Sequence, residues 1–328
     1  MSTTRTLGRL LALAGVALAA WAAPAAAQTG YPSRPVRIVV PFAAGGPADI
    51  YARFVAQRLQ EALGGNFVVE NRPGGGGIIG TDAVAKSAPD GHTLLMMSNT
   101  QTVNESLFAT KPYQLMRDFA PVAPVNASDL VLVVHPSVPA ASLADLLRLA
   151  KAKPGALNYA SSGPGTPYHM AGELFKAMAG VDIVHIPYKG SSAARTDVIG
   201  GQVQMMFDAL PTMREPVRGG RVKALGTTGT ARTSVLPDVP TVAEAGLPGY
   251  EAVIWLGIMA PRDTPREIVT RLNAEIGRIV SRPEVRQEWE RQGTAPLVQT
   301  PEQFARFLAD DIAKWARIVQ LSGARPDQ

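Results

Sequence analysis

The most regular pattern in the chain is a short apolar run that leads through a glycine-containing loop into an amphipathic helix. Residues Val36–Val40 are mostly β-branched and lie between two prolines, which is typical of a strand buried on both faces. The loop 42–46 follows. After it, apolar residues recur at helical spacing at Ile50, Tyr51, Phe54, Val55, Leu59, Ala62 and Leu63. Because backbone N–H groups converge where such a helix starts, the pattern predicts a recess suited to an anion.

The same order of elements continues along the chain. Strands are predicted over 66–70 and 92–98, with a helix over 79–88 between them, so the first hundred residues predict a parallel sheet of β-α-β-α-β type. A second region follows the same grammar. Its predicted strands cover 130–134, 157–160, 181–187, 203–207 and 222–227. Its helices are predicted after Ser142, after Thr166 and over 193–199.

The remainder is predicted to be rich in helix. Thr241 and Glu244 have the spacing of a capping box that Gly246 closes, and a further helix opens at Thr264. A long final helix carries apolar residues at three- and four-residue spacing at Phe304, Leu308, Ile312, Trp315 and Val319. We expect these helices to return to the first sheet and cover it.

The N-terminus has the pattern of a secretory signal peptide. Arg5 and Arg9 precede an apolar run over 10–23, and small residues at 25–27 predict cleavage before Gln28. The run is too short for a retained membrane helix, so we expect residues 1–27 to be removed and the protein to be soluble and exported. The remaining length exceeds what one core usually serves, which favours two domains.

Composition and charge exclude several classes of partner. The chain has 32 basic and 27 acidic residues, and no basic run that would follow a nucleic-acid backbone, so we expect no nucleic-acid partner. It contains no cysteine, which excludes disulfides, a thiolate nucleophile and a zinc-thiolate site. The histidines His92, His135, His169 and His185 are too dispersed to predict a metal site, and no motif predicts a cofactor.

Five loops rich in Gly, Ser, Thr or Asn follow predicted strands. They lie at 45–46, 99–102, 161–166, 190–192 and Asp208. Any one of them is explained by the tight turn between a strand and a helix. Because ligands bind beyond the carboxyl ends of parallel strands, their recurrence in both regions predicts a cleft between two lobes.

Catalysis has weaker support. Ser161 or Ser162 with His169 could form a nucleophile and its base, which keeps an exported serine hydrolase open as an alternative, but no G-x-S-x-G motif is present. A packing role is favoured for His169, and a solvated loop position for Lys189. The glycines 74–77 lack the ending of a phosphate-binding loop and are interpreted as a flexible connection.

A series of motifs spread over residues 31–324 resembles the Bug family of extracytoplasmic solute receptors, the binding components of tripartite tricarboxylate transporters. After the opening YPSRP at residues 31–35, the motifs in chain order are VVPFAAGGPAD, VENRPGGGGIIG, APDGHTLL, LNYASSGPGTPYHMAGELFKAMAG, HIPYKGSSAARTDVIGGQVQMMFD, LPDVPTVAEAGLPGYE and PEQFARFLADDIAKWARIVQLSGA. Ala43, Pro47 and Ala194-Arg195 depart from the family pattern. These departures bear on which ligand is bound and not on the family.

The resemblance implies an α/β, two-lobed periplasmic binding protein of type II-like clamshell form, each lobe a mostly parallel sheet flanked by helices. It implies capture of a small organic carboxylate by backbone N–H groups, hydroxyls and water. The ligand-facing residues that it implies are Phe42, Ala44, Gly45, Gly46, Asn99, Thr100, Ser161, Ser162, Gly163, Thr166, His169, Gly190, Ser191 and Asp208. They are binding residues and not catalytic ones.

We therefore expect one lobe from residues 28–124 and 226–328, and a second from 125–225. The expected protein is periplasmic and monomeric, works without a cofactor, and passes its ligand to the subunits of an inner-membrane transporter. A ligand-sensing subunit of a signalling system would share the same fold and cleft, and it stays open as an alternative beside the hydrolase. The sequence does not identify the carboxylate.

Overall fold

The structure, a computed structural model, describes residues 30–326. The predicted signal peptide lies outside the described residues. The strands are β1 (Val36–Val40), β2 (Phe67–Asn71), β3 (Thr93–Ser98), β4 (Phe119–Val134), β5 (Asn158–Ser161), β6 (Val184–Pro187), β7 (Met205–Ala209), β8 (Lys223–Thr227), β9 (Val253–Pro261) and β10 (Thr294–Pro296). The helices are α1 (Pro47–Leu63), α2 (Ile78–Ala85), α3 (Asn99–Leu107), α4 (Leu115–Asp118), α5 (Leu143–Ala152), α6 (Pro167–Ala179), α7 (Ser191–Ile199), α8 (Leu210–Arg218), α9 (Arg266–Val280), α10 (Pro283–Gln292) and α11 (Pro301–Ser322).

The strands follow the order β2-β1-β3-β9-β4-β7-β5-β6, with β8 and β10 also paired to β4. Strand β1 runs parallel to both β2 and β3, which confirms the predicted β-α-β-α-β unit. Strand β5 likewise runs parallel to β6 and β7. The carboxyl ends of these parallel strands are where ligand loops are expected.

Strand β4 belongs to both halves of the sheet and is much longer than predicted. Its residues 119–129 pair antiparallel with β9, and its residues 130–134 pair antiparallel with β7. The sequence does not predict residues 119–129 as a strand, because Pro121 and Pro124 argue against a central strand. Here the register shifts at two places, between Pro121 and Ala123 and between Pro124 and Asn126, and such irregularities tolerate proline. The sheet therefore contains more antiparallel pairing than the alternation of strands and helices in the sequence predicts.

We call β1–β3, β9, β10 and residues 119–129 of β4 the first lobe, and β5–β8 with residues 130–134 of β4 the second lobe, each with the helices that follow its strands. Sheet pairing divides β4 between Asp129 and Leu130. The lobe boundaries given above from the sequence remain a prediction. Among residues 30–326, none of the helices is long and apolar enough to cross a bilayer.

Three further segments differ from the sequence prediction. The loop predicted at 99–102 is the first turn of α3. Strand β9 was missed, although its nine residues are almost wholly apolar and buried, which is typical of a central strand. The predicted helix at Thr241 is a series of turns. Both hydrogen bonds of the capping box are present, from Glu244 N to Thr241 Oγ1 (3.0 Å) and from Thr241 N to Glu244 Oε2 (3.3 Å). Gly246, at φ +133°, then leaves helical geometry.

Two of the helix starts predicted from caps are confirmed. The Ser142 side chain accepts a hydrogen bond from the backbone N–H of Asp145, and the Thr166 side chain accepts one from that of His169. Helix α11 places Phe304 and Leu308 against the core of the first lobe, as predicted. Its Trp315 also packs with Val103, Leu107 and Met170, so α11 contacts α6 of the second lobe as well.

Candidate functional site

Four helices begin around one small cavity between the lobes. Helices α1 and α3 follow β1 and β3 of the first lobe, and α6 and α7 follow β5 and β6 of the second. The cavity has a volume of about 20 Å³. Its walls are formed by Phe42, Ala43, Gly46, Pro47, Ala48, Asp49, Ser98, Thr100 and Ile254 of the first lobe and by Ser162, Pro167, Tyr168 and Ser191 of the second.

The four helix starts differ in how their first backbone N–H groups are used. Ser98 caps α3, and Thr166 caps α6, each through its side-chain oxygen. Helix α1 begins after Gly46 and helix α7 after Gly190, and neither has a side-chain cap. The first N–H groups of a helix have no intrahelical partner and carry a partial positive charge. The cavity is therefore flanked by one uncapped helix start from each lobe, an arrangement that favours an anion.

The two lobes contact each other beside this cavity. Ser192 Oγ donates a hydrogen bond to the carbonyl oxygen of Ala44 (2.9 Å), and the backbone N–H of Ala43 donates to the carbonyl oxygen of Lys189 (3.2 Å). A volume of about 20 Å³ is room for about one water molecule. A carboxylate with several carbon atoms can therefore enter only if the lobes move apart.

Ser161 supports the loop before α6 and does not line the cavity. Its side chain is fully buried, with Oγ 2.6 Å from His185 Nε2, and it accepts a hydrogen bond from the backbone N–H of Gly163 (3.0 Å). The hydrolase alternative paired Ser161 or Ser162 with His169. That pairing is wrong for Ser161, because its partner is His185, which lies on β6 directly beside β5.

His169 is also buried away from the cavity. Its Nδ1 accepts a hydrogen bond from the backbone N–H of Gly165 (3.1 Å), and its ring stacks on His185 with 4.2 Å between centroids. Burial, together with the charges that His185 and Lys176 can carry, holds the pKa of His169 well below its usual value. The neutral ring shapes the loop, as the packing interpretation predicted.

Asp208 forms a buried ion pair behind the cavity wall. Its carboxylate is fully buried, 2.7 Å from Arg195 Nε, and it also accepts the backbone N–H of Ala209 (2.8 Å). Burial raises the pKa of Asp208, although Arg195 and the hydrogen bonds act in the opposite direction. Asp208 thus has an internal partner and does not line the cavity.

The structure brings five of the predicted ligand-facing residues to the cavity wall: Phe42, Gly46, Thr100, Ser162 and Ser191. The other nine lie in the same loops or directly behind them: Ala44, Gly45, Asn99, Ser161, Gly163, Thr166, His169, Gly190 and Asp208. Ala44 and Gly45 are exposed to solvent on the outer side of their loop. All fourteen remain predictions as ligand contacts.

Several cavity residues were not predicted. Ser98 ends β3 and Tyr168 is the second residue of α6, so both occupy the strand ends and helix starts that the sequence analysis singled out. They could have been found by extending each loop by one or two residues. Ile254 could not, because it reaches the cavity from β9, whose place in the sheet depends on a distant pairing with β4.

Asp49 organises the loop that carries Gly45 and Gly46. Its carboxylate accepts the backbone N–H of Gly45 (3.0 Å) and pairs with Arg53 one turn further along α1 (2.9 Å). Burial alone would raise the pKa of Asp49, but the bonds from Arg53 and Gly45 outweigh it and hold the pKa below 3.8. The ionised side chain therefore fixes the position of the loop beside the cavity.

We expect Asp49→Ala to lower the free energy of unfolding by about 1–2 kcal/mol at pH 7 and to weaken ligand binding, because Gly45 loses its acceptor. A carboxylate with a lowered folded pKa contributes stability above 3.8 and loses that contribution as the pH falls through the folded value. In urea unfolding, the difference in free energy of unfolding between the wild type and Asp49→Ala should therefore shrink in acid. Glu61→Ala, at an exposed pair on the same helix, is the control and should change little. An Asp49→Ala deficit equal at pH 7 and in acid would contradict the prediction.

Within residues 30–326, no three acidic or histidine side chains are grouped so that they could hold a metal ion. The polar groups of the cavity wall are hydroxyls, backbone amides and the carboxylate of Asp49. The hydroxyls and backbone amides can donate hydrogen bonds to an anion, whereas the carboxylate of Asp49 is an acceptor that Gly45 N–H and Arg53 already occupy.

The chain is similar to several known proteins over most of its length. The tripartite tricarboxylate transporter family receptor matches residues 51–324. Protein BugT of Bordetella pertussis strain Tohama I is 41% identical over 321 residues, which are 97% of this chain and 98% of BugT. The structure of Rpa4515 from R. palustris with adipate is 36% identical with a TM-score of 0.87, over 90% of this chain and 99% of that one. The periplasmic binding protein BugD is 33% identical with a TM-score of 0.86, over 90% and 99%. These similarities confirm the predicted α/β clamshell fold.

Proposed function

The chain belongs to the tripartite tricarboxylate transporter family of receptors, and from that membership we propose that it captures a small organic carboxylate between its lobes and delivers it to a membrane transporter. The observation that carries the proposal is the pair of uncapped helix starts, one from each lobe, at the same cavity. The relative Rpa4515, whose structure contains adipate, supports a carboxylate as the ligand.

Capture follows from how the binding groups are divided between the lobes. The first lobe supplies the N-terminus of α1 with the hydroxyl of Thr100, and the second supplies the N-terminus of α7 with the hydroxyls of Ser162 and Ser191. An anion bound to one lobe alone gains half of these hydrogen bonds. Because only the closed form offers both halves, the ligand shifts the population toward closure.

The family and the solved neighbours are receptors and binding proteins and not enzymes. The Ser161–His185 contact fits this, because both side chains are buried and Ser161 Oγ already holds the N–H of Gly163. A nucleophilic serine needs its oxygen exposed to the substrate. Here the serine instead fixes the loop that precedes α6.

Members of the family act as periplasmic receptors, which implies the periplasm for this chain. Export through the signal peptide at residues 1–27 and a monomeric state complete the proposal. Delivery would require the closed form to dock on the transporter subunits in the inner membrane. Closure would then report ligand occupancy to the transporter, since a bound anion shifts the population toward the closed form.

Thermal unfolding with a panel of mono-, di- and tricarboxylates tests the capture step. We expect at least one acid to raise the melting temperature by several degrees at a hundredfold excess over its Kd, since that excess adds about 2.7 kcal/mol of stability. The uncharged diamide of the same acid is the control and should have no effect, because it lacks the negative charge that the helix starts favour. If no carboxylate in the panel stabilises the protein and none co-purifies with it, capture is not its function.

A further inference from the structure

One tyrosine of the cavity wall has a buried hydroxyl without a partner. Tyr168, the second residue of α6, is 3% exposed and lines the cavity. Its Oη atom is buried, and within residues 30–326 it has no hydrogen-bond partner. Most buried polar side-chain atoms in proteins are hydrogen-bonded, because leaving one unpaired costs its full desolvation. A hydroxyl in this position is available to a group bound in the cavity.

A second buried donor without a partner lies behind the same wall. Arg195 is one turn further along α7 than Ser191, so both side chains lie on one face of the helix. The Arg195 side chain is 14% exposed, and its Nε atom pairs with Asp208 (2.7 Å). In the part of the chain that the structure describes, its Nη2 atom is buried and has no partner. The charge of the guanidinium is therefore balanced by Asp208, but one of its donors is unused.

The two unpartnered groups interact with each other. Burial raises the pKa of Tyr168 well above its usual value, and Asp208 acts in the same direction, whereas Arg195 and Ser191 lower it. Burial alone would lower the pKa of Arg195, but Asp208 and Tyr168 raise it. The phenol therefore keeps its proton near neutral pH and can donate it in a hydrogen bond. Because Tyr168 and Ser191 line the cavity and Arg195 does not, the phenol lies between the guanidinium and the cavity.

Ser191 connects this cluster with the first lobe. A Cβ atom on Gly46 would lie 2.9 Å from Ser191 Oγ, so the Ser191 hydroxyl meets the uncapped start of α1. The phenol of Tyr168, the Ser191 hydroxyl and the first N–H groups of α1 are all hydrogen-bond donors. An anion at this side of the cavity would receive hydrogen bonds from both lobes, and hydrogen bonds to an ionised acceptor are the strong ones.

We propose that Tyr168 binds the carboxylate directly and that Arg195 is the residue that positions it. In this arrangement Arg195 Nη2 donates a hydrogen bond to Tyr168 Oη, and the phenol hydroxyl donates one to a carboxylate oxygen in the cavity. Because the phenol oxygen then accepts from the guanidinium, its hydrogen is directed to the anion, and hydrogen bonds in such a chain strengthen one another. Ala194-Arg195 depart from the family pattern, so the arrangement is a property of this chain and is not implied by the resemblance. The inference rests on the proposed carboxylate capture.

Tyr168→Phe tests the direct contact, because it removes the hydroxyl and keeps the ring. Calorimetry uses acetate, adipate and citrate, together with the acid of the thermal panel that stabilises the wild type most. We expect Tyr168→Phe to weaken the tightest-binding of these acids by about ten- to a hundredfold, the effect of losing one hydrogen bond to a charged group. The melting temperature of the free protein should not fall, because the hydroxyl has no partner among residues 30–326.

Tyr113→Phe is the matched control. The Tyr113 hydroxyl is also buried and without a partner among the described residues, but it belongs to the core of the first lobe and not to the cavity wall. Its removal should therefore leave the affinity for every acid unchanged.

The positioning role of Arg195 has a separate readout. The double variant Arg195→Met with Asp208→Asn removes the guanidinium and leaves no uncompensated carboxylate. We expect it to weaken the same acid by about three- to tenfold, since the phenol keeps its hydroxyl but loses its orientation. Adding Tyr168→Phe to this double variant should give an affinity no lower than that of Tyr168→Phe alone. A structural effect of Arg195 that does not pass through the phenol would instead multiply the two losses.

The outcomes separate this inference from the proposed function. If the wild type binds an acid and Tyr168→Phe binds it equally well, or if the losses of the variants multiply, the inference is overturned and carboxylate capture stands. If no acid binds or stabilises the wild type, carboxylate capture is overturned, and the inference with it.

Discussion

Replacing Gly190 with alanine is expected to weaken ligand binding ten- to a hundredfold while leaving the fold intact. Gly190 has a φ of 177°, which is extended backbone that any residue adopts, so the alanine itself introduces no strain. Its Cβ atom would lie 2.7 Å from the Cβ of Ala43 and 3.2 Å from the backbone nitrogen of Ala43. Ala43 is on the opposite lobe, so the clash exists only when the lobes are closed. Overpacking of this kind costs about 1–3 kcal/mol, and that cost falls on the closed, ligand-binding form.

A second substitution, at Ala43, should restore part of the ligand affinity that Gly190→Ala loses. The double variant Gly190→Ala with Ala43→Gly removes the contact between the two Cβ atoms and should recover part of the affinity. Recovery is incomplete because the backbone atoms of residue 43 stay within 3.2 and 3.4 Å of the new Cβ. Gly30→Ala is the control, since within residues 30–326 no atom outside its chain neighbours lies within 4 Å of its Cβ position. Calorimetry with a stabilising carboxylate measures the affinities, and urea unfolding measures the stability. Full affinity in Gly190→Ala would show that closure does not bring these loops together.

Elements that depend on neighbouring residues were predictable from the sequence. The strand before Pro41 and the helix after Gly46 follow from an apolar run and from helical spacing, and both are found close to the predicted positions. The Ser142 and Thr166 caps are local too, because each side chain reaches only its own first turn. Elements whose place depends on distant pairing were not predictable in the same way. The first part of β4 is a strand because β9 and β10 pair with it across long stretches of sequence.

The candidate site shows the same difference between local signals and features that depend on distant pairing. Sequence reasoning located the loops, since a glycine or hydroxyl residue after a strand is a local signal. It could not decide which side chain of a loop faces the cavity. Ser161 and Ser162 are neighbours of the same type, yet Ser162 lines the cavity and Ser161 turns to His185, which lies 24 positions away in sequence. The direction of each side chain depends on strand pairing, and no motif in the loop records it.

The glycines 74–77 show a requirement that local sequence does not reveal. In the sequence they lack a motif, so a connection was the simplest interpretation. Their role depends on Pro164, which approaches Gly76 from the other lobe and leaves no room for a side chain there. Such a requirement is set by closure of the cleft. It is therefore invisible until both lobes are placed.

The Arg195–Asp208 pair shows how a departure from the family pattern is accommodated. Ala194-Arg195 stand where the resemblance leads us to expect a proline or an apolar residue, and the Arg195 side chain reaches inward to a fully buried carboxylate. Removing one partner of a buried ion pair leaves the other charge without compensation. We expect Arg195→Met to lower the free energy of unfolding by about 3 kcal/mol at pH 7, because Asp208 keeps only its hydrogen bond from Ala209 and its contact with Thr212.

The stability lost in Arg195→Met should depend on pH, because the pKa of Asp208 is raised in the folded protein. Burial already raises the pKa of Asp208 in the folded protein, and losing Arg195 should raise it further. A group with a raised folded pKa favours folding below its unfolded pKa, and that contribution is lost as the pH rises through the folded value. In urea unfolding, the free energy of unfolding of Arg195→Met should therefore be closest to that of the wild type near pH 4. It should fall progressively further below the wild-type value toward neutral pH. Adding Asp208→Asn should recover most of the loss, since a neutral amide needs no counter-charge. Arg148→Met, at an exposed pair on α5, is the control. An Arg195→Met protein as stable as this control at pH 7 would mean that solvent, and not Arg195, compensates Asp208.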